Sequence, residues 1–108
     1  MEMKTCIDQC RECEQICLET LAHCLMEGGE HSDAQLINAL LDCIRLCSSC
    51  ADLMTRHSPL HAEHCKLCAE ACRRCAEACD MVGGAEMKRC ANVCRACERC
   101  CREMHAHC

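Results

Sequence analysis

Four stretches of the chain place small or apolar residues at alternating steps of three and four, with charged residues between them. The most regular stretch carries Cys65, Cys68, Cys72, Cys75 and Cys79. Steps that average about 3.5 residues bring these side chains to one side of an α-helix, as in the seam of a helical bundle. The pattern therefore predicts a helix whose inward stripe carries thiols at positions where Leu and Ile are usual.

Three further helices are predicted from the same period. Helix one runs from about Glu2 to Glu27, and its stripe is Met3, Cys6, Cys10, Cys13, Cys17, Leu21 and Cys24. The stripe of helix two is Leu36, Leu40, Cys43, Cys47, Cys50 and Met54, and a second apolar row beside it is Ile37, Leu41 and Ile44. The stripe of helix four is Met87, Cys90, Cys94, Cys97, Cys101, Met104 and Cys108, with Cys100 beside it.

Turn residues separate these stripes. Gly28–Gly29 and Gly83–Gly84 end helices one and three, since Gly is the usual residue just past a helix end. Ser32 is the predicted N-cap of helix two, with Gln35 completing a capping box. Ser58–Pro59 ends helix two and opens helix three, with Ser58 as N-cap and Pro59 at the first helical position.

The outward positions are charged and pair in the order that supports a helix. Glu70 precedes Arg74 by four residues, and Arg73 precedes Glu77 by four. No stretch shows the period of two that a strand needs. Four helices of about 22–26 residues with short connections predict an all-α fold, an up-down-up-down four-helix bundle with a Cys-lined core. The 108 residues form one domain, over residues 1–108.

Composition narrows the function. The sequence contains 19 Cys, 7 Met and 7 His but no Phe, Tyr or Trp. Cys, Met and His are all ligands of soft or borderline metals. The net charge of −5, with no basic cluster larger than a pair such as Lys88–Arg89, argues against nucleic-acid binding. No run is apolar enough for a membrane span or an export signal, so we expect a cytoplasmic protein whose thiols stay reduced.

The thiol stripes have two explanations that need no metal. Buried Cys behaves as a small hydrophobe, but a core lined with thiols would be under-filled, and cavities cost stability. A disulfide scaffold is the second explanation, although an odd total of 19 Cys and many i,i+4 pairs fit it poorly. We therefore favour metal binding. No catalytic constellation stands out among so many Cys and His residues, so no enzymatic activity is predicted.

The spacing of the thiols favours one metal over others. Structural zinc and iron–sulfur sites use separate sets of about four thiolates, usually brought together by loops. Cu(I) is soft and accepts two or three sulfurs, and a CxxxC pair on one helical face presents two. Seven such pairs occur: Cys6/Cys10, Cys13/Cys17, Cys43/Cys47, Cys68/Cys72, Cys75/Cys79, Cys90/Cys94 and Cys97/Cys101.

Charge indicates the capacity of such a core. One Cu(I) per thiolate would leave the filled core neutral, so the number of bound ions approaches about one per Cys. We predict Cu(I) ligands at every thiol and at several Met and His residues that extend the stripes. The predicted ligands are Cys6, Cys10, Cys13, Cys17, Cys24, Cys43, Cys47, Cys50, Cys65, Cys68, Cys72, Cys75, Cys79, Cys90, Cys94, Cys97, Cys100, Cys101, Cys108, Met54, His61, Met87 and Met104.

Several segments resemble the bacterial copper storage proteins. They are the Cys-stepped helix one, the CIRLC segment from Cys43, the Ser58–Pro59 junction and the CKLCAEAC segment from Cys65. The resemblance extends over essentially the whole chain, and the lack of an export signal is similar to the cytosolic branch. It implies a Cys-lined bundle that stores many Cu(I) ions. A copper donor or acceptor protein is a candidate partner. The resemblance also implies a homotetramer, for which the second apolar row of helix two is a candidate interface, if that row does not merely flank the core.

The resemblance is weakest at one end of the bundle. The turn between helices three and four, often His-rich in cytosolic members, is DMVGGAEMKR here, and Met87 stands where Cys is expected. At the opposite end lie Met3, Met54, His57, His61, His64, Met104, His105, His107 and Cys108. We favour that His-rich end as the entrance for metal. Two alternative functions stay open: an iron–sulfur or redox carrier, and a zinc- or cadmium-sequestering thiol protein.

Overall fold

The computed structural model describes residues 2–106, which form four long helices and, within that range, no strand. The helices are α1 (Met3–Glu27), α2 (Ala34–Thr55), α3 (His61–Val82) and α4 (Ala85–Ala106), and a short 3₁₀ turn spans Gly29–Ser32. Each helix packs against two neighbours, in the order α1, α2, α3, α4 and back to α1. The result is a bundle of 41 × 18 × 18 Å, which confirms the predicted all-α four-helix architecture.

The turn between α1 and α2 corrects one predicted cap. Gly28 ends α1 with φ of 69°, and its N–H donates to the carbonyl of Cys24. The N-cap of α2 is Asp33, whose carboxylate accepts from the N–H groups of Gln35 and Leu36 at 3.1 and 3.4 Å. The Ser32 hydroxyl instead donates to the Gly29 carbonyl at 2.9 Å. The 3₁₀ turn takes up Ser32, so the cap moves one residue along the chain to a side chain that caps equally well.

Helix three begins two residues later than predicted. The Ser58 hydroxyl accepts from the Leu60 N–H at 3.2 Å, and the Ser58 carbonyl accepts from the His61 N–H at 3.2 Å. Pro59 therefore lies in this turn, and α3 starts at His61. Gly83, with φ of 80°, ends α3 as predicted. Below, the "proline end" of the bundle is the end that holds this turn, and the "glycine end" is the one that holds the Gly28 and Gly83 turns.

The predicted surface pairs are present. Glu70 lies 2.8 Å from Arg74, and Arg73 lies 2.7 Å from Glu77. The second apolar row of α2 is divided between core and surface, because Ile44 is buried whereas Leu41 is 41% exposed. None of the helices in residues 2–106 combines the length and hydropathy that crossing a bilayer requires. The charged exterior thus encloses a core set by the inward stripes.

Candidate metal centre

The inward stripes place sulfur at the centre of the bundle. Every Cys in residues 2–106 is buried, and none of them forms a disulfide. The helical period explains this arrangement, since steps of three and four keep one face inward over the whole helix. Cys100, predicted beside the stripe of α4, is also buried, and its Sγ lies 2.9 Å from Cys6 Sγ. Cys108 and His107 lie outside the described residues.

Two layers of the core take one thiol from each helix. In each layer the four sulfurs all lie within 4.8 Å of one another. The first layer is Cys10, Cys50, Cys68 and Cys101, and the second is Cys13, Cys47, Cys72 and Cys97. Because each ligand comes from a different helix, a metal bound in either layer would tie the four helices together.

Further groups join these layers into a continuous column. They are Cys13, Cys17, Cys43 and Cys94; Cys17, Cys75, Cys90 and Cys94; and the triplet Cys6, Cys100 and Cys101. Adjacent groups share Cys13, Cys17, Cys94 or Cys101, and the two four-helix layers meet where Cys97 Sγ lies 3.7 Å from Cys10 Sγ. We call this column of shared groups the thiol ladder. A thiol in two groups can bridge two metal ions, which isolated sites do not allow.

The sulfur contacts run mainly between helices. Cys43 Sγ lies 3.7 Å from both Cys13 and Cys72 and 3.8 Å from Cys17. Within single helices the CxxxC pairs Cys13/Cys17 and Cys43/Cys47 have Sγ–Sγ distances of 4.0 and 3.9 Å. The prediction that single-helix pairs are the gripping units therefore needs extension: the natural unit is a group that spans helices, because the helices pack closely enough to interleave their thiols.

The thiols perturb one another's protonation. Hydrogen bonds from the Cys13 and Cys17 thiols lower the pKa of Cys43, because they stabilise its thiolate. The hydrogen bond with Cys13 raises the pKa of Cys17. Burial raises the pKa of Cys24, with smaller contributions from Cys90, the Glu86 carboxylate and Cys75. Proton loss from one thiol is thus coupled to its neighbours throughout the ladder, as expected for a core that exchanges protons for soft cations.

The proline end extends the ladder with a thioether and also holds two imidazoles. Met54 is fully buried, and its Sδ lies 4.0 Å from Cys65 Sγ, which in turn lies 3.5 Å from Cys50 Sγ. His61 and His105 are half-buried there, and their Nδ1 atoms lie 2.8 and 3.0 Å from backbone carbonyls. A carbonyl only accepts, so Nδ1 carries the proton in each ring.

The residues expected at the proline end are not all brought together. Met104 is buried, Met3 is half-buried and His57 is exposed. None of the clustered ligand groups in residues 2–106 contains a histidine. His64 instead pairs with Ser49 through a short hydrogen bond between Nε2 and the hydroxyl. The entrance proposed for this end therefore stays a prediction.

The glycine end carries larger apolar side chains than the middle of the core, namely Leu36, Leu40 and Met87. All three side chains are buried. Met87 Sδ lies 3.7 Å from Cys24 Sγ, which makes this the second Cys–Met pair of the core. Cys24, like Cys65 and Cys79, belongs to none of the clustered groups found in residues 2–106.

One inward position was assigned wrongly from the sequence. Leu21 was placed in the stripe of α1, but it is only half-buried, whereas Thr20 is completely buried. The Thr20 hydroxyl oxygen has no hydrogen-bond partner among residues 2–106. Steps of three and four run equally well through either residue, so the period did not distinguish them, and hydrophobicity favoured Leu.

Comparisons with known proteins agree with this geometry. The sequence profile of the copper storage protein family matches residues 1–106. A solved structure of a protein from Nitrosospira multiformis is 34% identical, with a TM-score of 0.92, and the match covers 96% of this chain and 94% of that one. No significant relative is found among curated proteins.

Several of the similar structures contain copper. The Cu(I)-bound copper storage protein BsCsp3, from Bacillus subtilis, is 29% identical with a TM-score of 0.90, over 94% of this chain and 96% of that one. The cytosolic copper storage protein of Streptomyces lividans, loaded with 10 copper equivalents, is 31% identical with a TM-score of 0.87, over 96% of this chain and 83% of that one.

Proposed function

The chain belongs to the copper storage protein family, and from this premise we propose that it stores many Cu(I) ions at once on the thiolates of its core. The observation that carries the proposal is the thiol ladder, in which neighbouring groups share Cys13, Cys17, Cys94 and Cys101. Shared thiolates bridge ions, so each added ion uses sulfurs that its neighbours already hold in place. The capacity then approaches about one ion per Cys.

Charge distinguishes Cu(I) from zinc in this core. A four-sulfur layer matches tetrahedral zinc in size, since Zn–S bonds of about 2.3 Å place the sulfurs about 3.8 Å apart. Four thiolates around one Zn²⁺, however, leave two negative charges per layer, and buried unpaired charge is expensive. One Cu(I) per thiolate leaves none. The enclosed column therefore favours Cu(I), and zinc or cadmium sequestration is the second candidate because the layers accept those ions geometrically.

Three features of the thiol core favour Cu(I) binding. Each thiol releases a proton as its sulfur bonds to Cu(I), and the hydrogen bonds from Cys13 and Cys17 that lower the pKa of Cys43 ease proton loss from Cys43. Burial excludes water and oxidants from the bound ions. The helices hold the sulfurs near one another before metal arrives, so little reorganisation accompanies binding.

The experiment that tests this function is an anaerobic titration of the fully reduced protein with Cu(I). We expect binding to continue to many ions per chain, on the order of one per Cys. The loaded protein should be colourless, whereas an iron–sulfur carrier would be brown. Saturation at one to four ions would contradict storage. Competition between Cu(I) and Zn²⁺ for the reduced protein then separates the two candidate metals, and we expect Cu(I) to displace Zn²⁺.

Four further properties are proposed on the same basis. We infer a cytoplasmic location, as in the Streptomyces lividans protein, and a role without catalysis. We infer a homotetramer from the family resemblance, and light scattering of the purified protein tests it. A copper donor or acceptor protein is expected, because ions held in a closed core must be delivered and collected. The partly exposed Leu41 row of α2 is the candidate interface between subunits.

A further inference from the structure

The Cys24–Met87 pair at the glycine end differs from the rest of the sulfur core. Cys24 Sγ contacts Met87 Sδ at 3.7 Å. Three buried thiols, Cys24, Cys65 and Cys79, belong to none of the groups of mutually close ligands in residues 2–106. Cys65 joins the ladder through Cys50 at 3.5 Å, and Cys79 joins it through hydrogen bonds with Cys75 and Cys90, whereas the close sulfur contact of Cys24 is the one to Met87. The nearest stripe neighbour of Cys24 on α1 is Thr20, not a cysteine. A soft two-sulfur pair therefore lies inside the bundle but apart from the ladder.

Thr20 is the residue that interrupts the sulfur column on α1. It lies between Cys17, which belongs to the ladder, and Cys24, which does not. Its side chain is completely buried, and its hydroxyl oxygen lacks a partner among residues 2–106. A hydroxyl is a poor ligand for Cu(I) compared with a thiolate. Thr20 thus places a hard, unsatisfied oxygen where the stripe would otherwise continue the ladder.

Helix α2 interrupts the column at the same level. Cys43 Sγ contacts Cys17 Sγ at 3.8 Å, and beyond Cys43 the α2 stripe continues with Leu40 and Leu36. Because α1 and α2 are antiparallel, Leu40 and Leu36 lie at the same levels along the bundle as the part of α1 between Cys17 and Cys24. Both are buried and supply no ligand atom. Two of the four helices, α1 and α2, therefore carry no sulfur between the ladder and the Cys24–Met87 pair.

We propose that Cys24 and Met87 form a separate site for a single Cu(I) ion, which fills after the ladder and gives up its ion first. This inference rests on the proposed copper storage function. On binding, the Cys24 thiol gives its proton to the buffer, one S–Cu bond forms to the thiolate and one to the Met87 thioether. One thiolate and one Cu(I) give a neutral site, so the ion needs no neighbouring ion to balance its charge.

The order of filling follows from the ligands. A thioether is a weaker, uncharged donor, and the ladder offers each ion two or more thiolates, so ladder positions bind more tightly. The other Cys–Met pair does not behave in this way. Met54 Sδ lies 4.0 Å from Cys65, but Cys65 is itself 3.5 Å from Cys50, a member of a four-helix layer. An ion at Cys65 is therefore shared with the ladder.

The test is a Cu(I) titration of the reduced protein against a coloured bidentate Cu(I) chelator, with Met87→Leu and Met54→Leu as a matched pair. Both changes replace a buried thioether beside a thiol by a side chain of similar size. For the wild-type protein we expect a large tight phase and one weaker ion. Met87→Leu should weaken that last ion by about tenfold or more, which is about 1.4 kcal/mol. Met54→Leu should leave it unchanged. Equal effects of the two changes would overturn the inference.

A second measurement reads the site directly. With ¹³C-methyl-labelled methionine, the Met87 methyl signal, assigned by its loss in Met87→Leu, should move only during the last equivalent of Cu(I). Movement together with the first equivalents would overturn the proposal. Cys24→Ser covers the case in which Met87→Leu fails to fold: it should remove the weaker ion and leave the Met87 signal unmoved at saturation.

A third experiment tests whether Thr20 separates the Cys24–Met87 pair from the ladder. Thr20→Cys should join the pair to the ladder, so that the weaker phase disappears into the tight one, whereas Thr20→Val, of the same shape, should keep it. A weaker phase that survives Thr20→Cys counts against the separation. The outcomes also distinguish the two proposals: saturation of the wild type at one to four ions contradicts storage, whereas a high capacity that Met87→Leu and Cys24→Ser do not alter contradicts only this inference.

Discussion

The two ends of the bundle use the same pair of residue types with different consequences. At the proline end the Cys65–Met54 pair is an extension of the ladder, because Cys50 lies 3.5 Å from Cys65. At the glycine end the Cys24–Met87 pair, although closer at 3.7 Å, stands apart. The difference comes from neighbouring stripe positions and not from the ligands. In a core built from repeated thiols, the residue at the stripe position between two sulfurs therefore decides whether those sulfurs can share metal ions.

The glycine end and the middle of the bundle also differ in what stabilises them. Leu36 and Leu40 bury large aliphatic side chains at the glycine end, whereas most inward positions of the middle carry the smaller Cys. Burial of apolar area scales with side-chain size. Without metal, the glycine end should therefore supply a disproportionate share of the stability, while the middle is stabilised when ions bind its thiolates.

The largest expected effect tests that division. Leu40→Ala should lower the free energy of unfolding of the metal-free reduced protein by about 2–5 kcal/mol, because it removes a fully buried side chain and leaves a cavity. Cys72→Ala, which removes one sulfur atom, should cost about 1 kcal/mol. Urea unfolding followed by circular dichroism under anaerobic conditions measures both.

The same two variants should reverse their order in copper binding. Cys72→Ala removes a member of a four-helix layer and should reduce Cu(I) capacity, whereas Leu40→Ala should leave it unchanged. Equal losses of stability from the two changes would show that the ends and the middle contribute alike. The metal-free wild type should already be helical, and a coil spectrum would contradict the whole division.

A smaller effect is expected at the interruption itself. Thr20→Val removes a buried hydroxyl that lacks a partner and keeps the shape of the side chain, so it should stabilise the metal-free protein by about 1 kcal/mol. Thermal unfolding of the reduced protein measures it. The control is Thr55→Val, whose hydroxyl donates to the Ala51 carbonyl at 2.7 Å and should give no gain. A loss of stability in Thr20→Val would mean that its hydroxyl is satisfied in solution.

The Thr20 case also shows how far the sequence could predict this site. The Cys period predicted the four helices and the burial of every Cys in residues 2–106. From Cys17 to Cys24, steps of three then four pass through Thr20, and steps of four then three pass through Leu21. Both fit the seam, and only the packing of α1 against its neighbours decides between them. The sequence pattern predicts which face of α1 is inward, but not the exact rotation of the helix about its axis.

The register between neighbouring helices could not be predicted from the sequence either. The sequence showed CxxxC pairs within single helices. In the structure, the sulfurs closest to Cys43 Sγ lie on other helices, and Cys72 Sγ on α3 is one of them, at 3.7 Å. Such pairings depend on how far each helix slides along its neighbour, and that is set by three-dimensional packing and by turn lengths. The shift of the α2 cap from Ser32 to Asp33 is the same kind of detail, since it depends on a 3₁₀ turn that the sequence did not reveal.

The smallest effect is expected on the charged exterior. Hydrogen bonds from Arg73 and Arg74 lower the pKa of Glu70 to about 2. A carboxyl whose pKa is lowered on folding stabilises the protein above its ordinary pKa, and that contribution is lost as the pH falls toward 2. Because Glu70 is solvent-accessible, salt and water screen the pair. Glu70→Gln should therefore lower the melting temperature at pH 7 by no more than a few degrees. The difference from wild type should shrink in high salt and at pH 3, and Cu(I) capacity should not change. A fall in capacity would show that the exterior and the thiol ladder are coupled, and that the separation between regions does not extend to the surface.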